Sequence, residues 1–196
     1  MDTKALLKLT GLLGFIIMII TTSVYMVYIV MPAAMPLIIH SIEAKLSSEG
    51  ISLSQSEISA IMSITEMITP IALAIASFIG WLISSAVLWA LLKAFKINNK
   101  FTETWLLAGN AFYLNVVQTA IIAATPPLLS YVITTVAEHR SILTQPPLLA
   151  IGLVSTILSA VLLAYIFSRA YGVGMTRALV PTLIALLIFW VISAIA

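Results

Sequence analysis

Apolar residues come along the chain in five long runs, at about residues 9–31, 68–92, 105–124, 148–167 and 178–196, and every charged residue falls between or before them. A helix rises 1.5 Å per residue and the hydrocarbon core of a bilayer is ~30 Å thick, so each run is long enough to cross it. Ten-residue stretches of alternating polarity are missing, which removes a closed barrel, and in lipid only helices or closed barrels satisfy the backbone. The pattern therefore predicts an all-α fold: an integral membrane bundle of five transmembrane helices in a single domain, with short interfacial helices in its outer loops. Lys4 and Lys8 ahead of the first run resemble the start of a signal peptide. The run exceeds the roughly 7–15 residues of such a segment, so it reads as a retained span.

The charged residues set an orientation. Lys4 and Lys8, then Lys93, Lys96 and Lys100, then Arg169 and Arg177 fall on one side of a five-span chain, and only Lys45 and Arg140 on the other. By the positive-inside rule the N-terminus is cytoplasmic, the C-terminus is outside, and the protein sits in the cell membrane. The acids lean outward: Glu43, Glu49, Glu57, Glu66 and Glu138 lie outside, Asp2 and Glu103 inside. The outer loops are then 32–67 and 125–147. In the first, Pro32 and Pro36 predict a bend where the chain leaves its first span, and Gly50 a helix stop. Ser54 followed by Glu57 has the capping-box spacing, and a helix started there runs on into the second span with Pro70 as its kink. In the second loop, Pro126-Pro127 and Pro146-Pro147 suit first helical turns, which makes 128–137 a short helix at the outer face.

Composition sharpens the class. The chain is 62% apolar and 8% charged, against about 25% charged in ordinary soluble domains. A soluble enzyme, a disulfide scaffold, a nucleic-acid binder and a disordered tail are excluded. With no cysteine there is no thiol chemistry. No H-E-x-x-H, G-x-S-x-G or phosphate-binding glycine loop occurs, so no catalytic, cofactor or metal residue is assigned and the chain reads as a non-enzyme.

Polar residues inside the runs are few. Asn110, Asn115 and Gln118, with Thr104 and Thr119, fall on one half of the third helix at 100° per residue. Amides in lipid need partners, so this face is either the wall of a polar cavity or conduction path, or a set of interhelical hydrogen bonds. Glu66, just before the second span, is either a cation or proton site or an interfacial acid favoured by the helix dipole. Ala72, Ala76, Gly80 and Ser84, and likewise Gly152, Thr156, Ala160 and Ala164, recur every four residues. Such stripes allow close helix packing, within this bundle or against a second copy or other membrane protein. His40 with Glu43, and His139 beside Glu138, would form a metal site only if the outer loops met; the plainer reading is solvated histidines. Trp89, Trp105, Tyr25 and Tyr28 sit where aromatic belts are expected.

Two segments carry a family resemblance. Ser77-Phe78-Ile79-Gly80-Trp81-Leu82, leading to Lys96-Ile97-Asn98-Asn99-Lys100-Phe101-Thr102-Glu103-Thr104, and the closing stretch from Tyr165 through Gly172-Val173-Gly174 to Ala178, are similar to the Ypt-interacting-protein (Yip) domain family, in its prokaryotic branches. The likeness covers roughly residues 60–196. It implies the fold and membrane setting, and five spans with a cytoplasmic N-terminus fit it. With the small-residue stripes and the lack of catalytic motifs, the expected role is non-enzymatic, organising membrane or recruiting partners. The aspartate-leucine-x-glycine-proline signature and long N-terminal region of eukaryotic members are absent, so their GTPase partners are not carried over. The expected partners are membrane lipid and a homo-oligomeric copy or another membrane protein. The alternative is a small channel or transporter whose path follows Asn110, Asn115, Gln118 and Glu66.

Overall fold

The computed structural model describes residues 3–48, 54–138 and 145–195, with the side chains of 193–195 left aside. Asp2, Glu49, Gly50, His139 and Arg140 lie outside the described residues. Among the described residues the elements are helical throughout: α1 (Thr3–Tyr25), a wide π turn (Met26–Val30), α2 (Met31–Ser48), α3 (Gln55–Ala94), α4 (Phe101–Ala108), a 3-10 turn (Gly109–Ala111), α5 (Phe112–Ala124), α6 (Pro126–Ala137), α7 (Pro146–Tyr171) and α8 (Met175–Ile195). Among the described residues five helical stretches are long and apolar enough to cross a membrane, within Thr3–Ser48, Gln55–Ala94, Phe101–Ala124, Pro146–Tyr171 and Met175–Ile192.

Local chemistry explains the helix starts. The Ser54 hydroxyl accepts from the Glu57 N–H at 3.3 Å while the Ser54 N–H donates to the Glu57 carboxylate at 2.7 Å, a complete capping box. Pro126 and Pro146 occupy first turns, where a missing N–H costs nothing. At the other end of α7, Gly172 takes φ +64°, a left-handed stop.

The chain leaves its first apolar run differently from the sequence expectation. Pro32 and Pro36 do not end the helix; α1 and α2 form one continuous 46-residue stretch. The ladder is re-registered just ahead of Pro32, where the Met31 N–H donates to the Met26 carbonyl five residues back. A π adjustment of this kind absorbs the backbone groups that proline cannot pair. Together α1 and α2 extend roughly 70 Å and α3 about 60 Å at 1.5 Å per residue, twice a hydrocarbon thickness. So most of the stretch expected as the loop 32–67 is helical: α2, and α3 from Gln55 onward.

Antiparallel succession puts the start of α1, the end of α3, the start of α4, the end of α7 and the start of α8 at one end of the bundle. Contacts verify this. Lys4 and Lys8 of α1 pair with Glu103 of α4 at 2.8 and 3.1 Å, and Lys4 lies over the Tyr171 ring of α7 at 4.6 Å. Arg177 of α8 donates to the carbonyls of Phe95 and Lys96 at 3.1 and 3.0 Å, capping the C-terminus of α3. This end carries Lys4, Lys8, Lys93, Lys96, Lys100, Arg169 and Arg177 and is called the basic end below.

Its interior is dry. Leu88, Leu92, Ile97, Leu107, Leu163 and Phe167 pack with Ala164, Ala178 and Ala185 into one buried cluster. Beside it α1 crosses the third helix at very short range. A Cβ on Gly11 would collide with the Leu106 carbonyl, one on Gly109 with the Gly11 carbonyl, and one on Gly14 would stand 2.7 Å from the Gly109 carbonyl. Only glycine permits backbones to approach this closely. A smaller cluster, Tyr25, Val30, Ile122 and Leu148, lies under α6 at the far end.

Candidate functional site

Between these two clusters lies a cavity of about 600 Å³, within the range that holds a small-molecule ligand. Leu88, Ala108 and Leu163 line it and also belong to the dry cluster, so they form its floor. Ile122 and Leu148 line it and belong to the far cluster. Its walls come from α1, α3, α5, α6, α7 and α8, and it occupies the half of the bundle away from the basic end. Aromatic walls are supplied by Trp81, Phe112, Phe189 and Trp190. Trp81 is fixed by its indole N–H, which donates to the Trp105 carbonyl at 3.0 Å, and by Phe15 against its face at 4.2 Å between centroids. Polar groups come from Asn115, Gln118 and Thr119 of α5, Ser77 and Ser84 of α3, and Ser155, Thr156 and Ser159 of α7. Among the described residues no charged side chain lines the cavity.

The structure divides the polar stripe of the third helix. Asn110 is buried and fully engaged: its amide donates to the Leu7 and Leu107 carbonyls, both at 2.9 Å, and its oxygen accepts from the Thr10 hydroxyl at 2.8 Å. Tyr113 adds a bond to the Thr10 carbonyl at 2.9 Å. These residues tie α1 to the third helix beside the glycine crossing. Asn115 and Gln118, one and two turns further on, face the cavity, and neither amide has a hydrogen-bond partner among the described residues. Asn110 itself sits in the 3-10 turn at Gly109–Ala111, and Asn115 and Gln118 follow on α5.

The other singled-out residues fall as follows. Glu66 is exposed on α3, away from the cavity lining and from Asn115 and Gln118. Ala72, Ala76 and Gly80 are exposed, and a Cβ on Gly80 would meet nothing within 4 Å; Gly80 and Ser84 border the cavity. The α7 stripe turns inward instead. Ala160 and Ala164 are completely buried, and Gly152, with Thr156 at the cavity wall, leaves room for Trp190, whose indole nitrogen would stand 3.0 Å from a Cβ there. His40 is exposed on α2; its supposed partner His139 lies outside the described residues. Among the described residues no three His, Cys, Asp or Glu side chains gather as for a metal ion.

Sequence reasoning passed over three features. Gly11 and Gly14 were visible as a pair three apart, but their partner Gly109 belongs to another helix. Among the described residues Glu103 is the one acid beside the seven bases of this end, a charge contrast that pointed to pairing. The cavity aromatics Trp81 and Trp190 carry no local signal at all. No protein-family model, curated protein or solved structure matches the chain.

Proposed function

We propose that this is a polytopic, non-enzymatic membrane protein that takes an uncharged, hydrogen-bonding ligand into the cavity, in the manner of the loading state of a small carrier. The observation that carries the reading is the pair of unpartnered amides, Asn115 and Gln118, facing a charge-free cavity. Asn115 is exposed and Gln118 half-buried at the cavity wall, so both amides hold donors and acceptors open to a molecule that supplies the complementary bonds. The lining that the described residues form carries no charge, which suits a neutral molecule better than an ion, whose burial without a counter-charge is far more costly. The floor of packed leucines separates the cavity from the basic end, which suits a carrier better than an open channel. The basic residues support an orientation with that end in the cytoplasm and the cavity in the outer half of the membrane.

Acrylamide, a small neutral amide, tests this. Trp89→Phe with Trp105→Phe leaves two indoles, Trp81 and Trp190, both in the cavity wall. Acrylamide is expected to quench them in nanodiscs, and Gly80→Phe, which projects into the cavity, to reduce the quenching several-fold. Quenching that is negligible, or unchanged by Gly80→Phe, overturns the reading.

One observation favours a second reading, the partner-recruiting role that the Yip resemblance implies. The exposed Ala72 and Ala76 leave part of α3 bare of large side chains, a face suited to another helix. Oxidative cross-linking of Ala76→Cys in the membrane to a second copy would support it; a strictly monomeric product would remove the homo-oligomer.

A further inference from the structure

A second hollow lies on the outside of the bundle, between α5 and α7, with a volume of about 270 Å³. Leu114, Val117 and Ile121 form one wall, Ile151, Val154 and Leu158 the other. Its flanks are open: Val117 is 52% exposed and Val154 57%. It runs for about 12 Å along the helices at 1.5 Å per residue. Two of its lining residues are polar, Gln118 and Ser155, and both also line the cavity. Neither side chain has a hydrogen-bond partner among the described residues. They form the partition between an apolar groove facing outward and a hydroxyl- and amide-bearing chamber facing inward.

From this juxtaposition we propose that the ligand is a single-chain amphiphile with an uncharged head, its hydrocarbon chain in the α5–α7 groove and its head at Gln118 and Ser155, directed into the cavity. The proposal rests on the cavity reading above and names its ligand class. An outward groove of about 270 Å³ accepts part of one hydrocarbon chain from the surrounding bilayer. An amide offers two donors and an acceptor, and a serine hydroxyl one donor and two acceptor lone pairs, the complement of a hydroxyl, ester or amide head. A carboxylate or phosphate head would meet no cation among the described residues, none of which is charged in the lining of either hollow.

The test is binding of 1-monooleoylglycerol to the full chain in nanodiscs, with oleate as the same chain bearing a charged head. Monooleoylglycerol is expected to bind saturably at one per chain and at least tenfold more tightly than oleate. Gln118→Leu removes the head partner, and Ala150→Trp fills the groove from an exposed position on its rim; each is expected to weaken binding at least tenfold. Absence of saturable binding, equal binding of oleate, or unchanged binding by Ala150→Trp overturns the proposal. If any of these occurs while acrylamide still quenches Trp81 and Trp190, the amphiphile assignment fails alone. If the quenching is absent as well, the cavity reading fails with it.

Discussion

The two halves of the bundle solve the same problem in opposite ways. At the basic end the side chains that join α1 to the third helix are paired: Asn110 makes three hydrogen bonds, Glu103 receives two lysines, and the backbones close to glycine-glycine distance, while the Trp105 indole N–H beside them stays buried without a partner among the described residues. In the far half the helices spread, Gly80 faces open space, and two amides on the same helix as Asn110 are left unpaired. A membrane helix gains little by carrying an amide unless the amide is paired or meets a ligand. Residues of one type on one helical face thus have two jobs, and the difference is set by what the neighbouring helix brings: Leu7 and Thr10 in one case, a void in the other.

One substitution at two positions exposes the contrast most sharply. Gly11→Ala forces a Cβ into the Leu106 carbonyl, and overpacking against unyielding backbone is expected to cost about 3 kcal/mol. Gly80→Ala meets nothing and is expected to be neutral or to stabilise by up to ~1 kcal/mol through helix propensity. Reversible unfolding in mixed micelles reads both. Equal effects would mean that the tight crossing and the open half are not distinct.

Next in size is the pair of amides. Asn110→Leu removes the hydrogen bonds that link the third helix to Leu7 and Thr10, leaving the Thr10 hydroxyl only the Leu7 carbonyl of its own helix, and is expected to lower stability by about 1–2 kcal/mol, near the upper range for interhelical hydrogen bonds in membranes. Asn115→Leu removes no protein hydrogen bond and is expected to leave stability within about 0.5 kcal/mol. A large loss at Asn115 in the same unfolding measurement would show that its amide is structural.

How much of this was legible follows from where each signal resides. The five apolar runs, the Ser54–Glu57 box and the proline helix starts obey rules that act within a few residues, so the sequence states them. Pro32 and Pro36 marked the irregular place in the chain, but not that the helix continues through it, because the π turn that accommodates them has no residue signature of its own. The stripe of Asn110, Asn115 and Gln118 was visible as a face, yet its division was not, since periodicity places a side chain and says nothing about what stands opposite. Gly11 and Gly109 are nearly a hundred positions apart, and their meeting is a tertiary fact.

The smallest expected effect concerns the basic end. Glu103→Gln removes the charge that holds Lys4 and Lys8, in a site whose carboxylate side chain is 19% exposed. Partly exposed pairs contribute little, so a loss of about 0.5–1 kcal/mol is expected, diminished in high salt. A salt-independent loss would point to packing and not to charge.

Ser84 and Ser85 are neighbours at one depth on α3, Ser84 at the cavity wall and Ser85 completely buried. The chain has no cysteine of its own, so Ser84→Cys and Ser85→Cys each place a single thiol. The most direct measurement is their rate of reaction with N-ethylmaleimide in nanodiscs. An accessible cavity beside a closed core predicts that the thiol at 84 reacts at least a hundredfold faster than that at 85. Comparable rates at the two positions, fast or slow, would contradict it.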